Sequence, residues 1–174
     1  MERTDIIPAM PILDAHMLEF FSRSPDQTRR FGMRLGEQLE TGDVICLQGE
    51  LGAGKTTLAQ GLAQGWGSMD ASSSPTFILV NLYHRVDKAV LYHLDAYRLE
   101  SQREAEELDL DAMINQGPLL VEWPERFNKL IPSERLWINL EHVEEEQRKM
   151  RFHSQGARYD ELLEGLRLAV FGSG

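Results

Sequence analysis

The sequence predicts an α/β fold around a central sheet of mixed direction. Short apolar runs alternate with amphipathic segments along the 174 residues, which is the pattern of strands interleaved with helices. Strand pairs joined by short charged turns occur in the second half, so part of that sheet runs antiparallel. A chain this long, 42% hydrophobic, buries an ample core as one domain.

Residues 1–17 read as an N-terminal lead-in punctuated by Pro8 and Pro11, and 18–174 as the domain itself. Leu18–Phe21 suits a short strand. Ser24 then caps a helix, with Pro25 at its first position and Gln27 three after the cap. Phe31, Leu35 and Leu39 recur at four-residue spacing and give that helix one buried face. Thr41-Gly42-Asp43 ends it.

Val44–Leu47 is an apolar strand, Gly49–Thr56 a glycine-rich turn, and Thr57–Trp66 a helix with Leu58 and Leu62 inward. Ser72–Pro75 forms a loop before the apolar run Phe77–Tyr83. Val90–Asp95 follows a short connection and makes a hairpin with that run. Ser101 with Glu104 repeats the capping pattern and opens an acidic helix. Leu119–Trp123, Arg135–Leu140 and Lys149–Ser154 are later strands, and Tyr159–Val170 is a closing helix.

Charge and cysteine content narrow the function classes. The formal charge of −10 argues against broad electrostatic binding of nucleic acid by this chain alone. The lone cysteine, Cys46, lies in an apolar strand and reads as a small buried hydrophobe, in keeping with a reducing cytoplasm. No apolar run reaches the length of a membrane helix, and no signal pattern opens the sequence.

The chemistry lies in Gly49-Glu50-Leu51-Gly52-Ala53-Gly54-Lys55-Thr56, a full match to G-x-x-x-x-G-K-[ST]. Its glycines turn the backbone so that N–H groups face phosphate oxygens. Lys55 reaches the β- and γ-phosphates, the Thr56 hydroxyl ligates Mg²⁺, and the following helix turns its positive end to the anion. An acidic chain needs Lys55 and a divalent cation to offset the charge of ATP. Guanine specificity is unsupported, because Asn128-Lys129-Leu130-Ile131 lacks the aspartate of a base-reading motif.

Two carboxylates end apolar strands. Glu122 closes Leu119-Leu120-Val121 and suits the second Mg²⁺ carboxylate. Asp95 closes Val90–Leu94, with His93 and Tyr97 on its face by strand alternation. An aspartate there either orients the attacking water, or binds Mg²⁺ through water, or simply caps a turn. His93 as a metal ligand is the weaker reading, since no second histidine or cysteine sits at metal-site spacing.

Four segments together resemble the TsaE family, the ATPase of bacterial tRNA threonylcarbamoyladenosine synthesis. They are Gly49–Thr57, Ser74-Pro75-Thr76-Phe77, His93-Leu94-Asp95-Ala96-Tyr97-Arg98-Leu99 and Val121-Glu122-Trp123-Pro124-Glu125. The first is common to many P-loop proteins; the other three are diagnostic in combination. The resemblance implies a three-layer P-loop NTPase-like fold with a sheet of mixed direction, binding ATP and Mg²⁺. Gly52, Ala53, Gly54, Lys55, Thr56 and Thr57 hold the phosphates, Thr56 and Glu122 hold Mg²⁺, and Asp95 serves hydrolysis.

The resemblance also sets Thr76 in a loop that senses the γ-phosphate, with Ser/Thr-Pro turn chemistry as the alternative. It sets Trp123 beside the nucleotide, where sequence alone also allows a half-buried core aromatic. Arg148 resembles a residue that touches the nucleotide, but Gln147 stands where the family often has glycine.

The implied role is a slow, Mg²⁺-dependent ATPase and switch on a TsaD–TsaB pair, monomeric by itself and meeting tRNA only through those partners. Glu100–Asp111, with six acids and one arginine, is either a solvated face or a docking surface for a basic partner. The runner-up is a small-molecule P-loop kinase, but Arg126, Arg135 and Arg148 are scattered and form no arginine-rich lid.

Overall fold

The computed structural model describes residues 15–70 and 79–172. Thr76 and the rest of its loop lie outside the described residues, as do most of residues 1–17. The strands are β1 (Met17–Ser22), β2 (Val44–Gln48), β3 (Val80–His84), β4 (Val90–Asp95), β5 (Leu119–Glu122), β6 (Arg135–Glu144) and β7 (Gln147–Gln155). The helices are α1 (Pro25–Gly36), α2 (Lys55–Trp66), α3 (Gln102–Glu107), α4 (Leu110–Gln116) and α5 (Ala157–Phe171), with 3₁₀ turns at Ala96–Arg98 and Pro124–Leu130.

One seven-stranded sheet runs in the order β1-β7-β6-β2-β5-β4-β3. The four central strands β6, β2, β5 and β4 are parallel, and β7, β1 and β3 join antiparallel. The sheet is therefore of mixed direction, as the sequence predicts. Parallel strands covered on both faces carry unbroken apolar runs, and Val44, Ile45, Cys46 and Leu47 are all at most 1% exposed.

Strand alternation splits the core into two layers. Ile45, Leu47, Leu120, Ile138 and Phe152 pack under α1, α2 and α5. Val44, Cys46, Leu94 and Val121 face the opposite side, where α3, α4 and the 3₁₀ turn at Pro124–Leu130 cover them. Each such fully buried Leu, Ile or Val contributes roughly 1.5–3 kcal/mol.

Local rules account for most element ends. The Ser24 hydroxyl accepts from the Gln27 N–H at 3.1 Å, while the Gln27 side chain accepts from the Arg23 N–H at 2.6 Å. α1 then lies so close to α2 that only glycine fits the seam. A Cβ at Gly36 would stand 2.1 Å from the Leu62 carbonyl oxygen, and one at Gly65 would stand 2.0 Å from that of Met33.

Three elements differ from the sequence reading. α1 ends at Gly36 with Glu37 as its C-cap, so Leu39 and Thr41-Gly42-Asp43 lie beyond the helix in the connection to β2. The acidic helix is broken into α3 and α4 at Asp109, whose φ of 52° is left-handed and whose side chain caps α4 through the Ala112 N–H. An aspartate tolerates that conformation because its short polar chain bonds locally. β6 also runs four residues past Leu140, to Glu144, because β7 supplies it with ladder partners out to Gln147. No helix among the described residues is long and apolar enough to cross a membrane.

Candidate functional site

The site lies where the parallel strands end. β2 finishes at Gln48, the chain turns through Gly49–Gly54, and α2 starts at Lys55. The turn needs left-handed backbone at Gly52 (φ 80°) and Gly54 (φ 100°), which glycine adopts without a steric penalty. Gly54 caps α2 with no side chain on the first-turn amides, and that turn contains no acid. Those N–H groups therefore remain available to an anion.

Sheet register brings the two carboxylates beside this loop. Glu122 at the end of β5 pairs with Leu47 of β2 on one side and with Asp95 of β4 on the other. A cleft of about 580 Å³ results, lined by the loop, α2 and the ends of β4 and β5. Of the residues singled out from sequence, Gly52, Gly54, Lys55, Thr56, Thr57, Asp95, Glu122, Trp123 and Arg148 all line it. Ala53, within the loop, is buried at 1% exposed and does not line the cleft; its N–H donates to the Glu50 carbonyl at 3.0 Å.

Lys55 is held inside the loop that it serves. Its Nζ donates to the carbonyls of Gly49 and Glu50, and lies 4.3 Å from the ring centroid of Trp123. Burial pushes its ammonium below the ordinary lysine range, although Glu122, Glu125, Glu50 and Asp95 all pull the other way. Such a lysine gains from a phosphate that satisfies it more fully than two carbonyls do.

Trp123 takes a left-handed backbone (φ 58°) between β5 and the next 3₁₀ turn, a conformation that costs a non-glycine residue about 1–2 kcal/mol. Its N–H donates to the Leu47 carbonyl at 3.1 Å, and its ring meets Tyr97 at 5.0 Å. Trp123 is thus a wall of the cleft and also packs against the apolar layer under α3 and α4. The half-buried aromatic expected from sequence is also a cleft residue.

Asp95 has two jobs as well. One carboxylate oxygen caps the following turn by accepting from the Tyr97 N–H at 3.1 Å, and the other lies 3.2 Å from Nε of Arg98. Arg148 reaches the opposite wall beside Gly54. Its guanidinium donates to the carbonyls of Glu145 and Gln147, both at 2.9 Å, and its buried Nε has no hydrogen-bond partner among the described residues.

The donor set fits Mg²⁺. No cluster of three or more His, Cys, Asp or Glu side chains able to hold a metal occurs among the described residues. Mg²⁺ asks for no such cage: it takes one or two protein oxygens and completes its shell with water and phosphate. A Thr56 hydroxyl and a Glu122 carboxylate in one cleft meet that demand.

Sequence reasoning did not single out Gln60, Asn81, Tyr83 or Arg98, which also line the cleft. Asn81 and Tyr83 arrive through the β3–β4 hairpin, where Asn81 stands opposite His93. The hairpin was legible and its alternation places these two on one face, so the signal was present. Arg98 lies three residues beyond Asp95, a spacing that the turn converts into contact.

Comparisons with known proteins agree with this architecture. Residues 22–150 match the model of the family described as threonylcarbamoyl adenosine biosynthesis protein TsaE. The tRNA threonylcarbamoyladenosine biosynthesis protein TsaE of Bacillus subtilis is 37% identical over 151 residues, covering 86% of this chain and 93% of that protein. The protein of the same name from Synechocystis is 42% identical over 132 residues, covering 70% and 79%. The crystal structure of YdiB from Bacillus subtilis superposes with a TM-score of 0.76 at 31% identity, covering 88% of this chain and 96% of that one.

Proposed function

The chain belongs to the TsaE family of tRNA threonylcarbamoyladenosine biosynthesis, and from that premise we propose that it is a slow, Mg²⁺-dependent ATPase acting as a nucleotide-controlled switch on a TsaD–TsaB pair. The observation that carries the reading is the convergence of Lys55, Thr56, Asp95 and Glu122 on one cleft at the open N-terminus of α2. The role in tRNA modification excludes no chemistry by itself; the cleft supplies the chemistry.

Each residue has a part. Lys55 neutralises the terminal phosphates, and the first-turn amides of α2 hold their oxygens. Thr56 and Glu122 hold Mg²⁺, which supplies charge neutralisation at the phosphates. Asp95 orients the water for in-line attack, fixed in place by the turn it caps. Arg148 and Trp123 bracket the bound nucleotide. The acidic surface leaves tRNA to the partners, and the work is done in the cytoplasm.

A small-molecule kinase is not favoured. Such an enzyme closes an arginine-bearing lid over the phosphates, but Arg126 lies over Tyr97, bonded to its carbonyl, and Arg135 lies over Trp137. Phosphate release from Mg·ATP, measured with the protein alone and with TsaD–TsaB, tests the proposal. Slow release that rises with the partners is expected. No release in either condition overturns the ATPase reading and leaves a binding-only switch.

A further inference from the structure

Beside Glu122, in the same cleft, lies a pair of side chains, His93 and Tyr83, that the reading above leaves without a task. His93 precedes Asp95 by two residues on β4, and its backbone partner on β5 is Leu120, two residues before Glu122. Strand alternation therefore puts His93, Asp95 and Glu122 on one face. Nε2 of His93 lies 3.3 Å from Oε1 of Glu122, and both side chains are only 11% exposed. On the other side of the ring, Nδ1 lies 3.3 Å from the Tyr83 hydroxyl, and the two rings stack at 6.0 Å with an interplanar angle of 22°.

We propose that His93 is a positioning residue, which sets the Glu122 carboxylate for the divalent cation while Tyr83 fixes the imidazole from behind. The inference rests on the role assigned above to Glu122. With the Tyr83 hydroxyl as donor to Nδ1, the ring N–H stands on Nε2, facing the carboxylate. That N–H is out of line for a full hydrogen bond in the free protein, and no other acceptor satisfies it among the described residues. A small rotation of Glu122 toward a cation completes the line, so the bond gained offsets part of the cost of fixing the carboxylate.

Groups that orient a metal-binding carboxylate typically change metal affinity 10- to 100-fold when removed. His93 itself is not a ligand here: its Nε2 is turned to Glu122, and a proton on that nitrogen excludes coordination.

The test compares binding of a non-hydrolysable ATP analogue in Mg²⁺ and in EDTA, by calorimetry, for the wild type, His93→Ala, His93→Gln and Tyr83→Phe. The wild type binds more tightly in Mg²⁺. His93→Ala loses roughly 10-fold of that gain while keeping its affinity in EDTA, and His93→Gln, whose amide replaces the Nε2 donor, recovers most of it. Tyr83→Phe falls between.

A His93→Ala variant that keeps the whole Mg²⁺ gain overturns the inference. So does one that weakens equally in both buffers, because His93 then only shapes the cleft. If His93→Ala does not fold, an undiminished Mg²⁺ gain in Tyr83→Phe overturns it instead. A wild type indifferent to Mg²⁺ fails the underlying reading of Glu122, an outcome distinguishable from all of these.

Discussion

The Lys55 ammonium lies 4.3 Å over the ring of Trp123 while donating to two carbonyls of its own loop. Phosphate binding must draw Lys55 away from both. Lys55→Ala removes charge-assisted bonds worth about 1.5–3 kcal/mol each, so nucleotide affinity falls roughly 10- to 100-fold by calorimetry. The indole emission of Trp123 changes on nucleotide binding in the wild type, and that change is absent in Trp123→Phe despite the emission of Trp66 and Trp137.

The same lysine gives the affinity a pH dependence. Burial holds its pKa below the ordinary value in the free protein, and bound phosphates raise it again. Binding therefore takes up a proton at any pH between the free and bound values. Affinity is constant below the free protein's pKa and declines as pH rises through it. Lys55→Arg, whose guanidinium stays charged, flattens the profile; an equally steep profile in that variant removes Lys55 as the source.

Asp95 is best tested with the residue that keeps its cap. Asparagine caps as well as aspartate does, so Asp95→Asn retains the bond to the Tyr97 N–H while losing the carboxylate. Nucleotide binding is preserved and turnover drops about 100-fold or more, measured as phosphate release. Full turnover in the variant reduces Asp95 to a turn cap.

The helix seam predicts a stability effect far from the cleft. A Cβ at Gly65 would press within 2.0 Å of the Met33 carbonyl oxygen. Gly65→Ala forces α1 and α2 apart, at a cost of about 1–3 kcal/mol. For a domain of this size that lowers Tm by roughly 3–10 °C, readable by calorimetry.

Cys46 is completely buried between β5 and β6, and burial pushes its thiol up to about 12. Thiol reagents leave it unlabelled at neutral pH in the folded protein and label one thiol per chain in denaturant. Labelling at a comparable rate without denaturant contradicts this packing.

The parts legible in the sequence were those governed by neighbours along the chain. Ser24, Pro25 and Gln27 announce α1 because a cap is a three-residue affair, and the glycines and Lys55 announce the loop because strand, turn and helix are contiguous. Resemblance to the family added Trp123 and Arg148, which line the cleft.

What was missed depends on strand register and on single backbone angles rather than on composition or periodicity. The extension of β6 to Glu144 exists because β7 is there to meet it, and no propensity of Glu141–Glu144 foretells it. The break at Asp109 is a matter of one φ angle in a run otherwise fit for helix. Tyr83 and His93 acquire meaning only once the hairpin sets them against Glu122.

The placement of β1 also dictates an order of events during synthesis. Met17 pairs with His153 and Phe20 with Met150, so β1 must wait for β7 to appear. The central strand β2 is in the same position, since Ile45 pairs with Leu136. Such remote pairings slow folding and leave strand edges open in the interval. A growing chain that already carries the complete phosphate loop is still an unfinished sheet, and the cleft matures only after β6 and β7 have emerged.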